Sequence, residues 1–415
     1  MTAFGAILGL VVAIILIIRK ANPAYSLILG AVIGGLTGGV SLPETVNLMI
    51  GGIKDITPAI IRILTAGVLA GVLIKTGAAV RIAETIIDKL GEKRALIALA
   101  ISALILTAIG VFIDVAVITV APIALAIGKK VNLSKMSVLL AMIGGGKCGN
   151  IISPNPNTIA SAENFGASLP SVMWANIFPA IIGLIVTAII AKTLVDKGEK
   201  IIEATVHHDE AGLPGFFGSI IGPLVTIALL ALRPMAGINI DPLIALPVGG
   251  LVGIVVMGKT NELKECIEYG LARMTGVAIL LIGTGTISGI IKNSTLKDVI
   301  LEGLKRASVG EQLVAPIAGA LMSAATASTT AGATIASATF SGTVLAAGIS
   351  AVAGAAMVNA GATVLDHLPH GSFFHATGGA TNVALGERLK LIPYETAVGL
   401  TLAIVSTAVS IFFGR

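Results

Sequence analysis

The chain has 415 residues, 55% of them apolar and only 12% charged, with a mean hydropathy of +0.99; a soluble domain carries about 25% charged residues. That composition excludes an ordinary soluble protein and predicts a polytopic membrane protein. The net charge of +5 calls for no nucleic acid, because Lys and Arg gather between the apolar runs.

Apolar runs fall at about 4–18, 24–40, 56–74, 95–127 with an interruption, 136–160 with a break, and 171–191. The opening MTAFGAILGL has no basic stretch and no small-residue cleavage site, so it reads as a first span and not as a removable signal. A polar connector at 192–215 holds Lys192, Lys197, Lys200, His207, His208, Asp209 and Glu210, and is expected to be a solvated loop. Further runs follow at about 216–232, 242–257, 274–291, 312–348 with an interruption, 350–378 with a break, and 394–413. Fifty glycines with 4% aromatic residues suit closely packed helices. Cys148 and Cys266 are too few and too separate for a disulfide framework or a zinc site.

The halves read as repeats, 1–205 and 206–415. GAILGLVVAIILIIRK from Gly5 is similar to GSIIGPLVTIALLALR from Gly218, and LIKTGAAVRIAETIIDKLGEKR from Leu73 to IIKNSTLKDVILEGLKRASVGE from Ile290, at offsets of about 213 and about 217. The second pair predicts a charged amphipathic helix at the interface in each half. After it comes a long apolar run with a polar centre, at about 95–128 around Gly110 to Asp114 and at about 312–348 around Ala325 to Ala331. Arms of about 14 to 17 residues are short of the roughly 20 needed to cross, so both read as re-entrant hairpins. The predicted fold is an all-α membrane domain of two inverted repeats, each with five crossings, a hairpin and a broken helix (about 136–160 and about 350–378).

An outside N-terminus places Arg19, Lys20, Lys75, Arg81, Lys89, Lys93, Arg94, Lys129, Lys130, Lys135, Lys192, Lys197 and Lys200 in the cytoplasm, as the positive-inside rule asks. Lys292, Lys297, Lys305 and Arg306 of the second half then fall outside.

The first break, GGGKCGNIISPNPNT from Gly144 to Thr158, carries the functional reading. Pro154 and Pro156 remove backbone donors, the glycines loosen the turn before them, and a helix arriving from Met136 is expected to end there. Broken backbone in hydrocarbon is tolerated only when buried in protein or lining a polar cavity, so the break predicts a site. Lys147 is expected to pair with Asp114 or with a substrate carboxylate, or else to reach from the break toward the surface. Asn150, Ser153, Asn155, Asn157 and Thr158 offer neutral groups for hydroxyls and a carboxylate, or cap the opened backbone. Thr326, Ser328, Thr329 and Thr330 at the second tip carry the same pair of readings, and Asn359 joins the substrate candidates.

An ionised Asp114 at that depth costs at least about 2.5–3.5 kcal/mol, which points to a proton or cation site, against a structural bond closing the hairpin tip. Asp366, His367, His370, Ser372 and His375 form the densest ionisable cluster. Pro369 and Gly371 deny it helical metal-ligand spacing, leaving proton relay through His367 with Asp366 as the sharper reading.

The segments GVFIDVAVITVAPIALA, SPNP with its glycine run, ATASTTAGAT and NAGATVLDHLPHGSFF resemble the gluconate permease (GntP) family, within a larger group of inverted-repeat ion transporters, over nearly the whole chain. The resemblance implies proton-driven uptake of gluconate or related small carboxylates across the bacterial inner membrane, no cofactor, and a homodimer with a moving transport domain. The chain departs from the family at the proposed site. Asp114 stands where members carry Glu, Asn155 where they carry His between the prolines, and Asp366, His367, Leu368, Pro369 and His370 where they tend to read Ser-His-Val-Asn-Asp.

The expected mechanism is alternating access around one anion site, with helix N-termini facing the carboxylate and Asp114 or the His367 region taking the proton. Sodium-coupled symport and sodium/proton antiport use the same fold. An intramembrane enzyme needs a base beside Ser153 that its own motif lacks, and two closed hairpins disfavour a channel.

Overall fold

In a computed structural model, residues 1–202, 212–236, 238, 240–296, 298–299, 302, 310–369 and 371–413 are described. His207, His208, Asp209, Glu210, Lys297, Lys305, Arg306 and the coupling candidate His370 lie outside them, with most of the charged helix expected after Lys292. The described residues are helical, with one isolated β-bridge between Ser134 and Lys200.

Helices α1 (Ala3–Ile18) and α2 (Pro23–Thr37) open on side-chain caps from Thr2 and Asn22 and pack on each other. Helix α3 (Leu42–Lys75) runs 34 residues from its Ser41 cap, and the amphipathic α4 (Ala78–Leu90) follows it. Helices α5 (Ala95–Ala108) and α6 (Ile113–Lys130) then form a helix–turn–helix. Its tip includes Gly110 at φ +104°, a backbone conformation that glycine adopts without steric cost. Helices α7 (Lys135–Asn150) and α8 (Pro156–Phe165) flank a break at 151–155. Helices α9 (Leu169–Ala175) and α10 (Ile177–Thr193) meet at a 42° bend.

The same order recurs after residue 212: α11 (Phe216–Ala236) packs on α12 (Pro242–Val256), and α13 (Leu263–Lys292) follows. Next come the helix–turn–helix α14 (Val314–Thr326) and α15 (Thr329–Ala346), and then α16 (Ala351–Gly361) and α17 (Ser372–Ala380) across a break at 362–371. Helix α18 (Leu385–Phe413) ends the chain's described part.

Helices α3 and α13 form the spine. Gly52 lies against Gly285, Gly67 against Gly270 and Gly71 against Cys266, a register that rises on one helix as it falls on the other. The pair is therefore antiparallel and nearly in backbone contact. A β-carbon on Gly67 would stand 2.8 Å from the Gly270 carbonyl oxygen, so the glycines set the approach. Ion pairs tie the two helices, Asp55 with Lys292 at the end of α13 at 3.0 Å and Lys75 at the end of α3 with Glu265.

Three helical segments are long and apolar enough to cross a membrane among the described residues: Leu42–Lys75, Thr260–Lys292 and Leu385–Phe412. The bent α9–α10 pair makes a fourth, and seven shorter apolar segments of 10–17 residues accompany them among the described residues. The apolar runs at 56–74 and 274–291 understate α3 and α13, whose N-terminal halves carry charged residues; of these, Asp55, Glu265 and Arg273 are paired across helices.

Both hairpin tips are tighter than expected. The first turn ends before Ile113, so Asp114 sits in the first turn of α6 and not in the interruption. The second is only Ala327 and Ser328, with Ala327 at φ +46°. The glycine run is also not the break: Gly144, Gly145, Gly146 and Gly149 are inside α7. Gly145 lies against the Ala100 backbone and Gly149 against Leu104. Close packing on α5 overrides a helix propensity cost of about 1 kcal/mol per glycine.

Candidate functional site

The two broken helices cross-fill each other. Lys147, wholly buried in α7, reaches into the second break. Its Nζ donates to the Thr363 carbonyl oxygen at 2.5 Å, to Asp366 Oδ1 at 2.6 Å and to His367 Nδ1 at 2.9 Å. All three ammonium protons are thereby used. Asp366 accepts at its other oxygen from Thr329 Oγ1 at 2.6 Å, which ties the second hairpin tip to the second break. His367 Nε2 stands 3.1 Å from both the Ile392 carbonyl oxygen and Thr396 Oγ1. A carbonyl only accepts, so Nε2 carries the proton and Nδ1 is the acceptor for Lys147. His375 Nε2 similarly faces the Pro369 carbonyl oxygen at 2.8 Å. The pairing of Lys147 with Asp366, and not with Asp114, differs from expectation and keeps Lys147 inside the core.

The amides of the first break also satisfy one another. Asn155 Nδ2 donates to Asn150 Oδ1, and Asn157 Nδ2 donates to Asn359 Oδ1 at 2.8 Å. Asn359 Nδ2 donates to Thr158 Oγ1 at 3.1 Å and to the Ile151 carbonyl oxygen at 3.3 Å. Asn155, Asn157, Thr158 and Asn359 therefore close the opened backbone. Ser153 is buried and its hydroxyl has no hydrogen-bond partner among the described residues.

A cavity of about 390 Å³ lies where the two hairpin tips and the second break approach α13. The first residues of three helices line it: Ile113 and Asp114 of α6, Thr329 and Thr330 of α15, and Ser372 and Phe373 of α17. Each helix N-terminus brings unpaired N–H groups and a partial positive charge. Ser328, Asn150 and Asp366 complete the polar wall, and Arg273 of α13 faces the tips across it. Arg273 pairs with Asp114 at 3.1 Å and stacks its guanidinium over Phe112, 5.4 Å from the ring centre. Of the sequence-stated candidates, Asp114, Asn150, Ser328, Thr329, Thr330 and Asp366 thus meet on one cavity, whereas Thr326 turns back to the Met322 carbonyl at 2.8 Å.

Arg273 is the residue the sequence reading passed over. Its signal was an arginine just ahead of an apolar run, which looks like a span boundary until the helix is seen to begin at Leu263. Arg62, in the middle of α3, was missed for a different reason, being a lone arginine inside the apolar run at 56–74. Its guanidinium forks onto Asp241, the N-cap of α12, with Nε at 2.9 Å from Oδ1 and Nη2 at 2.7 Å from Oδ2, and also pairs with Glu163 near the end of α8. That cluster joins the first broken helix to the spine.

Similarity to known proteins agrees with this architecture. The family model described as GntP family permease matches residues 1–412. The chain belongs to the GntP permease family. A Haemophilus influenzae protein named as an uncharacterized transporter is 58% identical over 409 residues, 98% of each chain. The Gnt-II system L-idonate transporter of Escherichia coli is 24% identical over 312 residues, 69% of this chain and 71% of its own. Among solved structures, the crystal structure of the Alcanivorax borkumensis YdaH transporter, reported to have an unusual topology, matches with a TM-score of 0.66 over 90% of this chain and 89% of that one, at 16% identity; it shares the fold. This GntP permease is a membrane-integral transporter and not an enzyme.

Proposed function

We propose that this GntP permease takes up gluconate or a closely related small hydroxycarboxylate together with a proton, across the bacterial inner membrane, by alternating access. One observation carries the reading: three helix N-termini and Arg273 converge on a single cavity whose other walls offer hydroxyl and amide groups. N-termini and a guanidinium favour a carboxylate, and Ser328, Thr330, Ser372 and Asn150 suit the hydroxyls of a sugar acid. The L-idonate relative supports the same substrate class.

Magnitudes assign the two ion pairs to different tasks. Lys147–Asp366 is 0% and 2% exposed, and removing one partner of such a pair costs about 3–5 kcal/mol, so it holds the fold. Arg273–Asp114 is 37% and 32% exposed, and pairs in water are worth about 0–1 kcal/mol. A substrate carboxylate can therefore take Asp114's place on Arg273, and a proton on Asp114 removes the charge left behind. The proton thus enters with the anion. His367 stays a second candidate for taking up a proton, at Nδ1, which stands 3.1 Å from Asp366 Oδ1.

The architecture proposed with this function is two inverted repeats, 1–205 and 206–415, each of five crossings with a re-entrant hairpin, the N-terminus outside and the molecule a homodimer. Recurrence of helix pair, long helix, helix–turn–helix and broken helix in both halves supports it. No cofactor takes part in this scheme.

The test is tracer uptake of gluconate into proteoliposomes under separately imposed pH and sodium gradients, with Asp114→Asn beside the parent. Accumulation that follows the pH gradient in the parent and is lost in the variant is the expected result. Sodium-driven uptake overturns the coupling ion. Sodium–proton exchange with no acid moving overturns the symport reading in favour of an antiporter.

A further inference from the structure

A second cavity, of about 510 Å³, opens beside the start of α5 and the end of α10, well apart from the hairpin tips. Its walls change character over one helical turn. Arg94 and Lys192 stand at the rim, while Ile97, Ala188 and Ile189 lie a turn further along their helices. Ile97 and Ile189 are among the exposed apolar side chains. Glu92, the acidic wall residue, is matched by Lys130 at 3.0 Å. Arg94 and Lys192 have no acidic partner among the described residues, and they set two positive charges above an apolar wall.

The corresponding groove of the second half makes the contrast. It lies between α14 and α18, measures about 440 Å³, and is walled by Leu313, Pro316, Ile317, Ala320 and Ile404, with no charged residue among the described residues. The two grooves share their place beside a hairpin's first arm and differ, among the described residues, in charge. An acyl chain alone would suit either one. The first adds two basic side chains, Arg94 and Lys192, at the depth of a headgroup.

We infer that the α5–α10 groove binds an anionic phospholipid, with its phosphate held by Arg94 and Lys192 and an acyl chain laid along Ile97, Ala188 and Ile189. Cationic pockets at the ends of membrane helices recognise such headgroups by charge, and the long basic side chains keep their stems on apolar surface while their heads meet the phosphate. The inference does not depend on which substrate is carried.

The experiment uses the full chain purified in detergent and then exposed to phosphatidylglycerol, phosphatidylcholine or inorganic phosphate, with retained lipid read by native mass spectrometry and stability read by thermal unfolding. Phosphatidylglycerol is expected to be retained and to raise the unfolding temperature more than phosphatidylcholine does, with phosphate alone giving no shift. Arg94→Gln with Lys192→Gln should weaken phosphatidylglycerol binding roughly 30-fold. Ala188→Trp, which fills the groove and keeps both charges, should abolish it. Lys264→Gln, at an exposed lysine on α13, should leave binding unchanged. Equal retention of phosphatidylcholine, an equal shift with phosphate alone, or undiminished binding in the double or Trp variant overturns the inference, as does an equal loss in Lys264→Gln.

Discussion

Lys147 and Asn359 stand in reciprocal positions. Each lies within the last four residues of the helix that leads into a break, and each donates to a main-chain carbonyl in the other break, Lys147 to Thr363 at 2.5 Å and Asn359 to Ile151 at 3.3 Å. Carbonyls released by a broken helix need donors when no water is at hand, and the two halves supply them to each other. The breaks are thereby locked as a unit beneath the cavity, so that the hairpin tips above have a rigid floor.

Lys147→Met should destabilise the permease by about 3–5 kcal/mol, because it strands the Asp366 carboxylate in the core. Asp366→Leu should cost a similar amount by stranding the ammonium. The double variant should recover much of the loss, which thermal or denaturant unfolding in detergent would read as a strongly non-additive cycle. Additive losses would show that the two groups do not depend on each other.

Asn359→Leu removes the acceptor of Asn157 and the donor to Ile151 and Thr158. Leaving these buried groups unpaired costs about 1–3 kcal/mol. Unfolding measurements should find that loss, and hydrogen exchange should find the Ile151–Asn155 segment opened. Exchange confined to α16 would place the effect elsewhere.

Much of the fold was legible because its interruptions are chemical. Gly110, the Thr326–Thr330 run, Pro154 with Pro156, and Pro369 with Gly371 break apolar stretches in ways no lipid-facing helix tolerates. What propensity misjudged was Gly144 to Gly146, where tertiary packing keeps α7 helical. The site was half legible. Asp114 and the second tip announced themselves as polar groups in apolar surroundings. The pairing of Lys147 with Asp366, and of Arg273 with Asp114, joins residues 219 and 159 positions apart. Local patterns carry no such register, so a lysine in one break could not be assigned to an acid in the other.

The Arg62 cluster predicts a stability change in acid. The Arg62 fork holds the Asp241 carboxyl below the usual carboxylate range, against partial burial that pushes it up. A depressed carboxyl contributes stability that is present above its unfolded value, about 3.9, and lost as pH falls through the folded value. Thermal unfolding should therefore separate the parent from Asp241→Asn most clearly near neutrality. The gap should narrow progressively below about pH 4. A gap independent of pH would mean that the amide's shape, and not the charge, makes the difference.

Arg273 should decide which molecules enter the cavity. Arg273→Gln keeps a donor beside Phe112 but removes the charge and the fork. A hydrogen bond to a charged group is worth about 1.5–3 kcal/mol, so the KM for a hydroxycarboxylate should rise about tenfold to a hundredfold in proteoliposome uptake. Arg273→Lys retains the charge without bidentate geometry and should fall between the two. An unchanged KM in Arg273→Gln would leave the three helix N-termini as the whole of the anion site.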